Sequence, residues 1–246
     1  MIHDQRHGPV LQVTIDRQER RNAVDHEALD GLLTALTDGL ADADDPVRVI
    51  VLHGAGGHFC AGADLSTVED TAFVGLLGRV LRTLRQAPVP TIAAVEGFCL
   101  GAGSQLAVAC DLRTATADAT FGVPAAKLGL LVDQWTVRRV ASMVGQPTAR
   151  AVFLAVDQLS GERAHQLGLV QRLGDLDDAM AWAAQIARLA PLTLAGLKVG
   201  LNEAEDVPDD PSPAYAAAFD AAWASEDLQE GLAAFGEKRR PEFRGR

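Results

Sequence analysis

Apolar positions along the chain change period several times, and each change predicts an element. Val10, Val13 and Ile15 fall in a short run that suits a first strand. Asp25 then stands where a helix cap belongs, ahead of Leu29, Leu32, Leu33, Leu36 and Leu40 at helical spacing. Residues 47–52 (VRVIVL) are β-branched and almost wholly apolar, as in a strand buried on both faces. A glycine-rich loop follows at 53–64 (HGAGGHFCAGAD), then a helical face of Leu76, Leu77, Val80, Leu81 and Leu84. A second buried strand, 91–95 (TIAAV), also runs into a glycine-rich loop, 97–103 (GFCLGAG), and then a helix holding Leu106 and Val108.

The unit of buried strand, glycine loop and helix thus occurs twice, as a pattern and not as a sequence repeat. Further on, residues 111–115 suit a strand, 135–144 a helix, 168–173 (GLVQRL) a short last strand, and 182–189 a helix. From Pro191 the chain reads as helical and alanine-rich, interrupted by a Pro/Asp loop at 207–213. The expected organisation is an α/β core over 1–190 and a C-terminal helical region over 191–246.

Composition narrows the class. With 246 residues, 48% hydrophobic and 22% charged, the chain can build a sizeable globular core. Its formal net charge of −11 argues against a nucleic-acid partner, which needs a basic footprint, but leaves room for a local phosphate pocket. Cys60, Cys99 and Cys110 are odd in number and form no C-x-x-C pair, so reduced, buried thiols are expected rather than disulfides or a zinc knuckle. The polar start, residues 1–8, does not resemble a signal peptide, and the apolar stretch 89–110 is broken by Pro90, Glu96 and glycines. A cytoplasmic protein without a membrane span is expected.

The two loops are the candidate chemistry. Ligands of α/β folds gather at the carboxyl ends of strands, and glycine lets the backbone itself approach them. A helix starting near Ala102 would offer free N–H groups to negative charge. Two such loops converging could form an oxyanion hole; two tight turns kept for packing would read the same way. Neither loop has the spacing of a nucleotide-binding glycine motif, and Ser104 does not sit in a G-x-S-x-G elbow.

The segments 58–65 (HFCAGADL) and 94–112 (AVEGFCLGAGSQLAVACDL) closely resemble the two signatures of the crotonase, or enoyl-CoA hydratase/isomerase, superfamily. So do 17–24 (RQERRNAV), 119–130 (ATFGVPAAKLGL) and 237–245 (EKRRPEFRG), in the family's order over nearly the whole chain. The resemblance implies a spiral of ββα turns with a C-terminal helical trimerisation region, assembled as a homotrimer or dimer of trimers. It implies an acyl-CoA thioester as ligand, coenzyme A being part of the substrate, with no further cofactor and no metal. The N–H groups of Ala63 and Ala102 would hold the thioester oxygen. Arg20, Arg21 and Ala23 match the segment lining the adenine and phosphate end of CoA, and Ala61, Asp64 and Leu65 match the loop beside adenine and pantetheine. Phe243 matches a tail that closes over CoA from an adjacent subunit. The basic residues Arg20, Arg21, Lys238, Arg239, Arg240, Arg244 and Arg246 suit phosphate on an acidic chain, or a solvated turn and tail.

The sequence departs from the family at the chemistry. Where a hydratase of this family carries two glutamates, Gln105 and Ala125 stand here. Gln105 can orient water but exchanges no proton at neutral pH, and Ala125 can do neither. Positioned acid–base groups contribute roughly 10²–10⁴-fold in rate, so little syn-hydration is expected. Asp133 matches a position where some isomerases and dehalogenases carry a catalytic aspartate; it could equally cap a helix starting near Gln134, with bulky Trp135 filling the pocket. Asp111 reads as structural, Glu96 as preceding the loop and facing away from the ligand, Glu69 and Asp70 as part of a segment that in such folds often roofs the acyl site, and a metal site from His53, His58 and Cys60 lacks a second ligand cluster. Two functions remain open: a lyase or isomerase using the oxyanion hole and Asp133, or a carrier that grips acyl-CoA without converting it.

Overall fold

The computed structural model describes residues 1–41, 46–66, 71–204, 211 and 213–243. Glu69, Asp70, Arg244, Arg246 and most of the 207–213 loop lie outside the described residues. In chain order the elements are β1 (Ile2–His7), β2 (Val10–Ile15), α1 (His26–Gly39), β3 (Val49–Gly54), α2 (Thr71–Gln86), β4 (Thr91–Val95), β5 (Phe98–Leu100), α3 (Ala102–Ala109) and β6 (Leu112–Ala115). There follow β7 (Thr120–Gly122), α4 (Gln134–Arg150), β8 (Leu159–Ser160), α5 (Gly161–Gln166), β9 (Arg172–Leu173), α6 (Leu176–Ile186), α7 (Pro191–Ala204), α8 (Pro213–Trp223) and α9 (Glu226–Glu237).

The chain divides into two compact units: residues 1–121 with 159–206, and residues 122–158 with 207–246. The division drawn from sequence after residue 190 falls inside the first unit, at the start of α7.

The first unit is α/β. Its main sheet has the order β1-β2-β3-β4-β6-β9, antiparallel between β1 and β2 and parallel thereafter. β3 and β4 are the two runs whose pattern lacks polar alternation, and both lie in the middle of the sheet with no exposed face. One face of the sheet packs on α6 through Val10, Val49, Val51, Ile92, Ala94, Ala179 and Ala183. The smaller sheet, β5-β7-β8, has three very short strands. The 168–173 run yields only the two-residue β9, and the helix expected over 182–189 begins earlier, at Leu176, behind a capping box of Asp175 and Asp178.

Asp25 caps α1 as its position suggested, accepting a hydrogen bond from Ala28 N–H at 2.9 Å. α3 is buried along its whole length. Its last carbonyls are met by Arg113, which is 1% exposed and donates to the oxygens of Ala107, Cys110, Asp111 and Leu169. A buried cation at a helix C-terminus satisfies groups the helix cannot pair itself. α7 is tied to this unit by Lys198, whose Nζ reaches Asp111 at 2.7 Å and the carbonyls of Leu84 and Val89. Asp111 also accepts from Thr91 N–H and Oγ1, the structural role its place in the sequence suggested.

The second unit is helical. Asp133 caps α4, accepting from Thr136 N–H at 2.9 Å and Thr136 Oγ1 at 2.6 Å. α4 contains a break at Gly145, which has a φ of 77°, close to the expected end of the helix at 144. A π turn, Ala151–Ala155, closes on Val156 in the left-handed region. α9 packs on the loop after Lys127 through Gly231, and Trp223 Nε1 donates to Leu131 O at 3.1 Å.

Candidate acyl-thioester site

The first glycine loop, 58–65, is held between two neighbours. On one side Cys60 bridges Cys99 in parallel fashion: Cys60 N–H donates to Phe98 O, and Cys60 O accepts from Leu100 N–H. On the other side Ala61 N–H donates to Arg21 O at 3.0 Å, and Val24 bridges Ala63. Regular strand alternation would turn residue 63 towards Val24. Gly62, at φ 120°, breaks the alternation as a bulge does. The result is that residues 62 and 64 pair with Val24, through Val24 N–H to Gly62 O and Asp64 N–H to Val24 O, both at 2.8 Å.

This pairing aims the Ala63 amide. In a trans peptide the C=O and N–H point in opposite directions. The Gly62 carbonyl is fixed towards Val24, so the N–H of Ala63 points away from it, to the side where Cys60 meets the second loop. Ala102 obeys the same rule. Gly101 O accepts from Gln105 N–H at 3.1 Å, so the Ala102 N–H points out of the N-terminus of α3. Among the described residues neither amide donates a hydrogen bond within the chain. The two carriers approach closely: a Cβ built on Gly62 would lie 4.0 Å from Ala102 N, and one on Gly101 would lie 3.7 Å from Gly62 Cα. Ala102 is buried and Ala63 half-buried. Two preorganised donors of this kind supply about 3 kcal/mol each to a developing oxyanion.

The other predicted residues of the first unit differ in exposure. Gln105 is buried one helical turn beyond Ala102. Ala23, Ala61 and Leu65 are half-buried, and Arg20 and Arg21 are exposed. The Arg21 guanidinium lies 5.3 Å from the centroid of the Phe98 ring, which stacks on His58. The Asp64 carboxylate is turned into the protein, with Ser66 Oγ at 2.7 Å and Arg17 Nη2 at 3.2 Å. Burial pushes this carboxyl up, but the bonds from Ser66 and Arg17 outweigh it and hold the group below its usual range. Glu96 contributes its carbonyl, to Phe59 N–H, and Ser104 Oγ donates to Cys99 O at 2.6 Å.

Ala125 and Asp133 belong to the second unit. Ala125 is half-buried in a 3₁₀ turn, its carbonyl accepting from Leu128 and Leu130. Asp133 lines a hollow with Gln134, Trp135, Pro211, Ala216, Phe219 and Asp220. Phe243 is 40% exposed. Of the basic tail, Arg239 is exposed and paired with Glu230 and Glu237.

Two residues the sequence did not single out, Arg17 and Asn22, bond to the loop and its neighbours. Arg17 pairs with Asp25 at 2.7 Å and with Asp64 at 3.2 Å. Asn22, fully buried at φ 59°, donates to the carbonyls of Ala55 and His58 and accepts from Arg17 N–H. The only sequence signal for either was membership of the 17–24 segment. The three cysteines are free and fully buried. Among the described residues no group of three His, Cys, Asp or Glu side chains could hold a metal ion. Among them, too, no helix is long and apolar enough to cross a membrane.

The two amides thus sit on loops that follow the parallel strands β3 and β4. The family model for enoyl-CoA hydratase/isomerase matches residues 5–246, and the chain belongs to that family. It is 41% identical over 237 residues to the probable enoyl-CoA hydratase echA6 of Mycobacterium tuberculosis, covering 96% of each chain. It is 32% identical over 246 residues to the 2,3-dehydroadipyl-CoA hydratase of Escherichia coli, again covering 96% of each. Among solved structures, an enoyl-CoA hydratase from Mycobacterium avium subsp. paratuberculosis superposes with a TM-score of 0.88 at 26% identity, over 99% of this chain and 98% of the other.

Proposed function

We propose that this chain grips the thioester carbonyl of an acyl-CoA between the N–H groups of Ala63 and Ala102, and carries the acyl-CoA without hydrating it. The observation that supports the grip is the anchoring of both peptides at their carbonyl ends, by Val24 and by Gln105 N–H, which leaves the two amide protons aimed outwards. Loss of proton transfer follows from Gln105 and Ala125 at the two glutamate positions. The adenine and phosphate end of CoA would lie against Arg20, Arg21 and Ala23, with Ala61, Asp64 and Leu65 shaping the loop beside it. The exposure of both arginines favours this, as does the Ala61–Arg21 hydrogen bond that joins the segments.

A second reading is a lyase or isomerase using Asp133. It is favoured by the place of that carboxylate beside the apolar Trp135, Ala216 and Phe219. It is disfavoured by the two hydrogen bonds from Thr136 that already occupy the group as a helix cap. Titrating acyl-CoAs of increasing length by calorimetry, then searching each mixture for product by mass, separates the readings. Binding without conversion supports carriage; conversion of an enoyl thioester supports the enzyme. Gln105→Glu with Ala125→Glu should create hydratase activity on crotonyl-CoA.

The assembly would be a homotrimer or dimer of trimers, with Phe243 closing over CoA bound to a neighbouring copy. Leu192 and Val199 on one side of α7, and Leu197 and Leu201 on the opposite side, are all more than half exposed, apolar surface of the kind that subunits cover. Sedimentation of a monomer at micromolar concentration would refute this.

A further inference from the structure

We infer that Arg17 is a positioning residue for the thioester-binding amide of Ala63, an inference that rests on the oxyanion-hole reading above. A hydrogen bond at the carbonyl edge of a trans peptide aims the N–H at its other edge. Arg17 Nη1 donates to Ala23 O. That carbonyl shares its peptide with the N–H of Val24, which donates to Gly62 O at 2.8 Å. The Gly62 carbonyl shares its peptide with the N–H of Ala63. The guanidinium therefore heads a line of two peptide groups that ends on the proposed donor. Hydrogen bonds in such a line reinforce one another.

The same side chain holds the far side of Ala63. Its Nη2 lies 3.2 Å from Asp64 Oδ2, and Asp64 is the next residue along. Nη2 also meets Asp25 Oδ2 at 2.7 Å, which anchors the guanidinium to the capped start of α1. Arg17 thus fixes the peptide before Ala63 through Val24 and the residue after it through Asp64. Two carboxylates offset most of its charge, so position rather than a long-range field is what it supplies. Lysine could not reproduce the fork, because an ammonium has no planar array of donors.

The test uses the full chain with butanoyl-CoA labelled with ¹³C at the carbonyl, a saturated thioester that neither hydration nor isomerisation consumes. Isotope-edited infrared spectroscopy reads the carbonyl stretch of the bound ligand. In the unsubstituted chain the stretch should fall below that of free ligand. Arg17→Met should lose most of that lowering, and Arg17→Lys should recover part of it. Because Arg17→Met alone leaves Asp64 and Asp25 without the guanidinium they share, Arg17→Met with Asp64→Asn provides a variant in which the more deeply buried of the two carboxylates is neutral as well. A staple that served folding alone would lower stability yet leave the stretch of the folded, bound fraction unmoved, and that result overturns the inference. If the unsubstituted chain itself gives no lowering, the oxyanion-hole reading fails and this inference with it. A lowering that persists undiminished in every Arg17 variant overturns the inference alone.

Discussion

Gly103 lies flat against Cys60: a Cβ at residue 103 would stand 2.2 Å from the Cys60 carbonyl oxygen and 2.9 Å from its Cβ. That contact sets how closely α3, and so the Ala102 amide, can approach the first glycine loop. Gly103→Ala must push the two apart. Overpacking of this kind costs about 2 kcal/mol, which denaturant unfolding would read. Affinity for butanoyl-CoA, measured by calorimetry under conditions where the variant stays folded, should fall as well. Unchanged affinity would separate the helix position from the grip.

Asp64 gives an expected pH dependence. Its carboxyl is held below its usual range in the folded chain by Ser66 and Arg17, against the opposing effect of burial. A depressed folded value means that the ionised form favours folding. The contribution is complete above the unfolded value of about 3.9, and is lost as pH falls through the folded value. Asp64→Asn should therefore be less stable than the parent chain from pH 5 to 8. The gap should close in acid below pH 4, as followed by thermal unfolding across that range.

The Lys198–Asp111 pair tests how α7 is held. Lys198 is 7% exposed, and its ammonium meets one carboxylate and two carbonyls. Removing one partner of such a pair leaves a desolvated charge, at a cost of about 3 kcal/mol. Lys198→Met should lose that much in urea unfolding. Lys198→Met with Asp111→Asn should lose less than the sum of the two single changes, and additivity would show that the pair is not coupled.

Val156 sits at φ 60°, in the left-handed region where a β-branched residue is strained. Left-handed backbone costs an L-residue about 1–2 kcal/mol, and glycine gives back about 0.5–1 kcal/mol through unfolded-state freedom. Val156→Gly should therefore stabilise the chain by about 0.5–1 kcal/mol, a rise of about 2 °C in Tm by calorimetry. A fall in Tm would mean that the half-buried valine side chain outweighs the strain.

The thiols should be inert. Burial pushes Cys60 and Cys110 up to about 12, and raises Cys99 well above its ordinary value. At pH 8 almost no thiolate exists to react. Alkylation by iodoacetamide, followed by intact mass, should keep pace with global unfolding; labelling of the native chain would contradict the burial.

Long elements were legible in the sequence because each carries its own periodicity. The face of Leu29, Leu32 and Leu36 made α1 readable, and the unbroken apolar runs made β3 and β4 readable as central strands. β5, β7, β8 and β9 are two or three residues long, too short for any period to register, and exist only because neighbouring backbone is there to pair with. The helix cap at Asp133 was legible as one of two alternatives, and local bonds to Thr136 fill that role.

By itself the sequence determined the α/β class, the family, the two glycine loops and the presence of Gln105 and Ala125 rather than carboxylates at their positions. These are properties of residue type and spacing, and they survive in a one-dimensional string. Only the tertiary structure decided which way the amides of Ala63 and Ala102 point. The Ala102 amide takes its direction from the local bond of Gln105 N–H to Gly101 O once α3 has formed, but the Ala63 amide depends on a hydrogen bond that Val24 sends across the fold, and a peptide plane takes its orientation from the partner it meets, however far away in sequence that partner lies.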